Sequence, residues 1–181
     1  CVCTNSYGSA LHTQLIDDLN HLASNALMGR KTATEGAANT RAYLHSRLSK
    51  FNLNVSEQTF TYKSGIFEHA QGINIIAVPT KSTQRKKIII TAHYDHLGKR
   101  GGKYYFGAND NATGVAALLY LASSLQNKEF PYELVFVLTD AEENGLHGSK
   151  HFAKTLNSNN VLMNINLDML GVKKHKSRVY A

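Results

Sequence analysis

Three apolar runs in this 181-residue chain end in residues that can handle protons or metal ions. Residues 88–92 lead into His93, Tyr94, Asp95 and His96; residues 134–139 lead into Asp140, Glu142 and Glu143; residues 161–167 lead into Asp168. A fourth acid, Asp110, lies in the loop Gly107-Ala108-Asn109-Asp110-Asn111, before an apolar helical stretch. Taken singly, each has a plain structural reading. Asp110 could cap the following helix. His93 and Asp95 could be a polar strand end, Glu142 and Glu143 exposed loop glutamates, and Asp168 with Asn164 and Asn166 a solvated sheet face. Two features argue for chemistry instead. His93 and Asp95 are two apart, so an extended chain projects them to one side, where a carboxylate can orient an imidazole for a metal. Glu142 and Glu143 place like charges beside an apolar strand, which is costly unless a cation compensates or one of them is protonated. Four such placements together favour a metal site.

The elements that must position these residues follow from hydrophobic periodicity. Residues 11–27 and 34–50 carry apolar positions at helical spacing, with Gly29-Arg30 as the turn between them and Thr32 and Glu35 at capping-box spacing. Residues 55–62, 73–78 and 87–92, rich in Ile, Val, Thr and Phe, predict strands, with a polar surface connection at 79–86. The broad apolar face of residues 112–125 predicts a buried helix. A strand at 134–138, a helix at 148–156 and a strand at 161–169 follow. This alternation, with nearly uninterrupted apolar strands, predicts an α/β domain whose mostly parallel or mixed sheet is flanked by helices on both faces. In such sheets ligands gather beyond the carboxyl ends of the strands, where the listed acids and histidines fall.

Composition narrows the rest. A chain of this length with 43% hydrophobic residues supports one core, so we expect one domain over residues 11–181 preceded by a tail or linker at 1–10. No apolar run is long enough for a transmembrane helix. The formal charge of +7 is dispersed apart from Arg85-Lys86-Lys87 and Lys173-Lys174-His175-Lys176. With no RNP-like pattern, zinc-finger spacing or phosphate-binding loop beside it, no nucleic-acid or nucleotide partner is expected. Cys1 and Cys3 are the only cysteines and sit too close for an ordinary bridge, so the core alone must hold the fold. A chain beginning at Cys is compatible with a lipid anchor at Cys1 and an extracytoplasmic location, or with an arbitrary boundary. No G-x-S-x-G elbow and no HExxH motif occurs.

The ordered set His93-Tyr94-Asp95, Gly107-Ala108-Asn109-Asp110-Asn111, Glu142-Glu143-Asn144-Gly145-Leu146-His147-Gly148-Ser149 and Asn166-Leu167-Asp168-Met169 resembles the M28 family of zinc aminopeptidases. The segment Leu22-Ala23-Ser24-Asn25-Ala26-Leu27-Met28-Gly29-Arg30 is similar to the opening of that family. The resemblance spans residues 11–171. It implies two zinc ions bridged by Asp110, with His93 and Asp168 completing one site and Glu143 serving the other. Glu142 would be the general base and Asp95 a partner that orients His93 without touching zinc. The implied activity is hydrolysis of N-terminal peptide bonds by a metal-activated hydroxide, with peptide or protein N-termini as substrates.

One ligand that the resemblance implies is not visible: a histidine from a C-terminal segment, normally bound to the second zinc. His175 follows the Asp168 motif too closely to match it. His147 and His151 are expected to pack or be exposed at a helix start, and His96 has no assigned role. A domain lacking its C-terminal part is therefore expected. Two alternatives stay open: a glutaminyl-cyclase-like zinc acyltransferase, and an inactive binding homologue with an incomplete metal site.

Overall fold

A computed structural model of the chain describes residues 5–81 and 86–171. Cys1, Cys3, Arg85, the basic stretch at 173–176 and His175 lie outside the described residues. The chain runs α1 (Asn5–Leu22), a single turn at Asn25–Leu27, α2 (Glu35–Leu48), β1 (Leu53–Lys63), β2 (His69–Pro79) and β3 (Lys87–His93). A short hairpin of β4 (Gly98–Arg100) and β5 (Lys103–Tyr105) precedes α3 (Thr113–Leu125), β6 (Glu133–Thr139), α4 (His147–Thr155) and β7 (Val161–Asn166).

Five strands form one mixed sheet in the order β1-β2-β6-β3-β7. The hairpin β1–β2 and the pair β2–β6 are antiparallel; β3 is parallel to both β6 and β7. Alternating side chains of the central strands feed two cores. Ile90 and Ala92 of β3 and Leu134, Phe136 and Leu138 of β6 pack with residues of α2 and α3 such as Leu44, Val115, Leu118 and Leu119. Ile89, Val135 and Val137 face the other way, onto Phe152 of α4. The sheet is thus covered on both faces. Because both faces of β6 are buried, all seven of its residues are inaccessible, which is why it reads as an unbroken apolar run rather than an alternating one.

The chain leaves β3 through α3 to reach β6 on one side, then passes through α4 to reach β7 on the other. The carboxyl end of β3 is therefore where the strand order reverses, and a crevice for ligands opens there. The first helix begins earlier than its periodicity indicated, at Asn5, and ends at Leu22. A buried fork from Arg47 to Asp18, 2.7 and 3.0 Å long, ties α1 to α2, with the Tyr43 hydroxyl donating to the same carboxylate. The capping box is not formed. Thr34 is the N-cap of α2, its hydroxyl turned back to Lys31 O, while Thr32 is buried and donates to Asp140 Oδ1 at 2.7 Å. The tertiary partner outcompeted the local one because an ionisable oxygen inside the fold needs donors more than an exposed helix end does.

Candidate metal centre

Register brings the first cluster together. His93 pairs with Thr139 across β3–β6, and Thr91 pairs with Asn166 across β3–β7, so Asp168, two residues on, comes level with His93. Leu167 N donates to Thr91 O at 2.8 Å and keeps the chain alongside β3 past the end of the strand. Asp110 approaches from above the sheet, in the irregular turn Ala108–Ala112 before α3. His93 Nε2 lies 3.2 Å from Asp110 Oδ1 and 3.6 Å from Asp168 Oδ1. His93 is buried, whereas both carboxylates are partly open to solvent.

Asn111 couples the two acidic loops. Its amide donates to Leu167 O at 2.9 Å and His93 O at 3.4 Å, and its carbonyl accepts from Gly114 N at 3.0 Å and Met169 N at 3.2 Å. A fully buried Asn with both ends of its amide engaged fixes Asp110 on one side and Asp168 on the other.

Asp95 joins the third loop to the same place. Its two carboxylate oxygens accept from Glu142 N at 3.0 Å and Glu143 N at 3.2 Å, while its backbone carbonyl faces His93 Nδ1 at 3.2 Å. The carboxylate itself is 3.7 Å from Nδ1. Asp95 is fully buried, so the carboxylate draws its stabilisation from these two N–H groups and the nearby imidazole. Burial pulls the His93 imidazole down, but the Asp168 and Asp95 carboxylates outweigh it and hold it up at about 10 in the metal-free protein. Burial raises Glu142 above the ordinary carboxylate range; the His93 charge opposes this, and Asp95, Glu143 and Asp168 add to it.

A second cluster stands beside the first. His96, Asp110 and Glu143 each offer one ligand atom, all within 4.8 Å of one another, as do His93, Asp110 and Asp168. Asp110 belongs to both. Donor type fits a borderline-soft divalent ion in each case: one imidazole nitrogen and carboxylate oxygens, with too few protein ligands to close the coordination sphere, as in a catalytic zinc site. His96 Nδ1 and Glu143 Oε1 are buried and lie 2.5 Å from each other, with no further hydrogen-bond partner among the described residues.

Several residues around the clusters take roles that their sequence positions did not specify. Arg30 is completely buried and donates to Tyr94 O, Phe106 O, Gly107 O and Leu22 O, stitching the end of α1 to the loops after β3 and before α3. Burial lowers its guanidinium to about 10, with Asp95, Asp110 and Glu143 opposing, so it stays charged at neutral pH behind the carboxylates. Asp140, expected among the strand-end acids, faces away from the clusters. It accepts from Thr32 Oγ1, Ile73 N and Ala141 N. Two histidines of α4 pack on β1 aromatics: His147 stacks on Tyr62 at 4.4 Å and His151 on Phe60 at 5.3 Å.

A mixed sheet covered on both faces, with two histidine and carboxylate clusters at the switch point, defines the zinc-exopeptidase type of α/β domain. Known structures share this fold. A leucine aminopeptidase precursor from Bacteroides thetaiotaomicron superposes with a TM-score of 0.73 at 21% identity, over 91% of this chain and 63% of that one. A glutaminyl cyclase from Porphyromonas gingivalis gives 0.74 at 23% identity, over 91% and 62%. Among curated proteins, aminopeptidase YwaD of Bacillus subtilis is 32% identical over 124 residues, which is 67% of this chain but 26% of that protein. Residues 74–180 match Peptidase family M28, and the chain belongs to that family.

Proposed function

We propose that this chain carries the catalytic centre of a zinc-dependent aminopeptidase that hydrolyses N-terminal peptide bonds. The observation that carries the reading is the pair of clusters sharing Asp110, with Glu142 beside them and its side chain without a hydrogen bond or ion pair among the described residues. His93, Asp110 and Asp168 would hold one zinc ion; Asp110 and Glu143 would serve a second. Zinc bound there supplies Lewis acidity toward a peptide carbonyl and makes water a usable nucleophile near neutral pH.

The chain's own residues do the remaining work. Glu142 takes a proton from the attacking water and delivers it to the leaving amine. Its raised pKa suits both duties, because a carboxylate closer to neutrality is a stronger base and its acid form a readier donor. Asp95 presents Glu142 and Glu143 by gripping their backbone N–H groups, and orients His93 from the other side. Adjacent glutamates can then divide roles, one facing the metal and one the reacting proton.

The reading is tested by incubating the zinc-loaded protein with peptides bearing free N-terminal leucine, alanine or glutamine. Release of the first amino acid supports it. Formation of a pyroglutamyl end without release would make the protein a cyclase, and zinc uptake with neither product would make it a binding homologue.

A further inference from the structure

The hairpin of β4 and β5 lies between the carboxyl end of β3 and the turn that carries Asp110. Gly98 opens it just after His96, and Tyr105 closes it just before Gly107. Gly29 holds both of its ends. Gly98 N donates to Gly29 O at 3.0 Å, and a Cβ on Gly29 would lie 2.2 Å from Tyr105 O and 2.9 Å from Gly98 Cα. With φ of +71° as well, Gly29 occupies a position where any side chain would be strained. The next residue is the buried Arg30, which donates to Phe106 O and Gly107 O. One short turn therefore fixes the hairpin and the loops of the metal centre relative to each other.

The charges of the hairpin are all of one sign. Residues 98–105 hold Lys99, Arg100 and Lys103 and no acid. Arg100 and Lys103 stand directly opposite each other in the register, flanking Gly101 and Gly102, and all four residues are exposed. Like charges directly opposite weaken a strand pair, and neither cation forms a salt bridge among the described residues. An anion held between the two would remove that cost. Lys31 adds a fourth cation, its side chain against Gly98, and Lys99 lies over the Tyr104 ring at 5.4 Å. Lys31, Lys99 and Tyr104 line a cavity of about 280 Å³ whose one acid is Glu35, in the first turn of α2.

We propose that this hairpin recognises a carboxylate of the substrate downstream of the cleaved bond, borne by an Asp or Glu side chain or by the C-terminus of a short peptide, an inference that rests on the aminopeptidase reading given above. The residue to be released keeps its carbonyl at the metal centre. The hairpin tip stands two residues beyond Gly98 and Tyr105, roughly 7 Å of extended chain, so the part of a peptide that extends to it is the part after the cleaved bond. Cations grouped beside the centre also raise the local concentration of acidic peptides and repel basic ones. Cations with exposed tyrosines suit a nucleic acid as well, but the tether to the loops of a peptidase centre favours the peptide.

The test gives the zinc-loaded protein matched peptide amides, Leu-Ala-Glu-Glu-Ala, Leu-Ala-Gln-Gln-Ala and Leu-Ala-Lys-Lys-Ala, and measures released leucine. At low ionic strength kcat/KM should favour the Glu peptide over the Lys peptide by about tenfold or more, through KM rather than kcat, and the preference should fade as salt screens it. The free-acid form of the Gln peptide separates the two sources: a gain over its amide assigns the terminal carboxylate, a gain confined to the Glu peptide the side chains, and either supports the proposal. In Arg100→Glu/Lys103→Glu the order of the peptides should reverse, while leucine p-nitroanilide, which has no carboxylate, is turned over as before. Equal kcat/KM for all the peptides at low salt, or an acidic preference that survives the charge reversal, would overturn the proposal and leave the aminopeptidase reading intact. So would a single-stranded oligonucleotide whose binding is lost in the variant when no peptide preference exists. Should the variant lose its p-nitroanilide activity, the unsubstituted protein decides alone, and a preference indifferent to salt overturns the proposal. Release of leucine from none of these substrates would overturn the aminopeptidase reading itself.

Discussion

Glu142 and Asp110 have separable duties in the proposed reading, and the separation is measurable. Glu142→Ala should keep its zinc and lose roughly 10²- to 10⁴-fold in turnover, the usual worth of a positioned acid or base. Asp110→Ala should lose metal, since Asp110 stands in both clusters. Turnover at the normal rate by metal-loaded Glu142→Ala would sink the role of Glu142. His93 supports a second prediction, about the metal-free protein. Folding raises its pKa from 6.5 to about 10, so the folded chain binds that proton more tightly than the unfolded one. The resulting stability is fully present below pH 6.5 and is lost as pH rises toward about 10. Melting temperatures measured in chelator across that window should fall with pH, and His93→Gln should flatten the slope. The site acids and His93 were legible as residues because each ends a strand or opens a helix. Arg30 and His96 stood in the same stretches, one in the turn of the opening segment and one just past the β3 run, but their roles were not legible, because neither has a local pattern that names its partner.

Among the elements, the loops beyond the strand ends hold the centre together, and Asn111 is their link. Asn111→Ala would strand the N–H of Gly114 and of Met169 and the carbonyl of Leu167. We expect a loss of about 1–3 kcal/mol, the cost of leaving the buried Gly114 N–H unsatisfied, since the bonds to Met169 and Leu167 are only partly buried. Chemical denaturation would measure the loss, and zinc affinity should weaken in parallel as Asp110 and Asp168 come apart. Thr32→Val tests the neighbouring tie: it removes one donor from the buried Asp140 carboxylate and should cost about 1–3 kcal/mol, whereas a mere helix cap would lose nearer 1. Most elements were readable from periodicity, including the continuous apolar β6. The β4–β5 hairpin was not, since Gly98–Arg100 and Lys103–Tyr105 are three-residue strands in a polar stretch with no alternating core face. The capping box misled because Thr32 and Glu35 have the right spacing while Thr32 is drawn into the fold.

On the scale of the molecule, the proposed ligands come from four separate places, the carboxyl end of β3 and the loops before α3, after β6 and after β7. An ion that binds only when these loops are assembled stabilises the folded state by mass action. Zinc added to chelated protein should therefore raise its melting temperature in a concentration-dependent way. An unchanged melting temperature at saturating zinc would speak against ligands spread over the fold. This chain spans 26% of the curated aminopeptidase it resembles and 62–63% of the solved structures. The alternation of strands and helices, and the types and order of the site residues, were set by the sequence itself, because periodicity and strand-end placement are local properties of the chain. Tertiary structure alone decided that Arg30 is a buried anchor, that Thr32 serves Asp140, and that His96 among nine histidines stands beside Glu143. Those facts depend on strand register and loop path, which bring residues far apart in sequence within bonding distance and which no local pattern encodes.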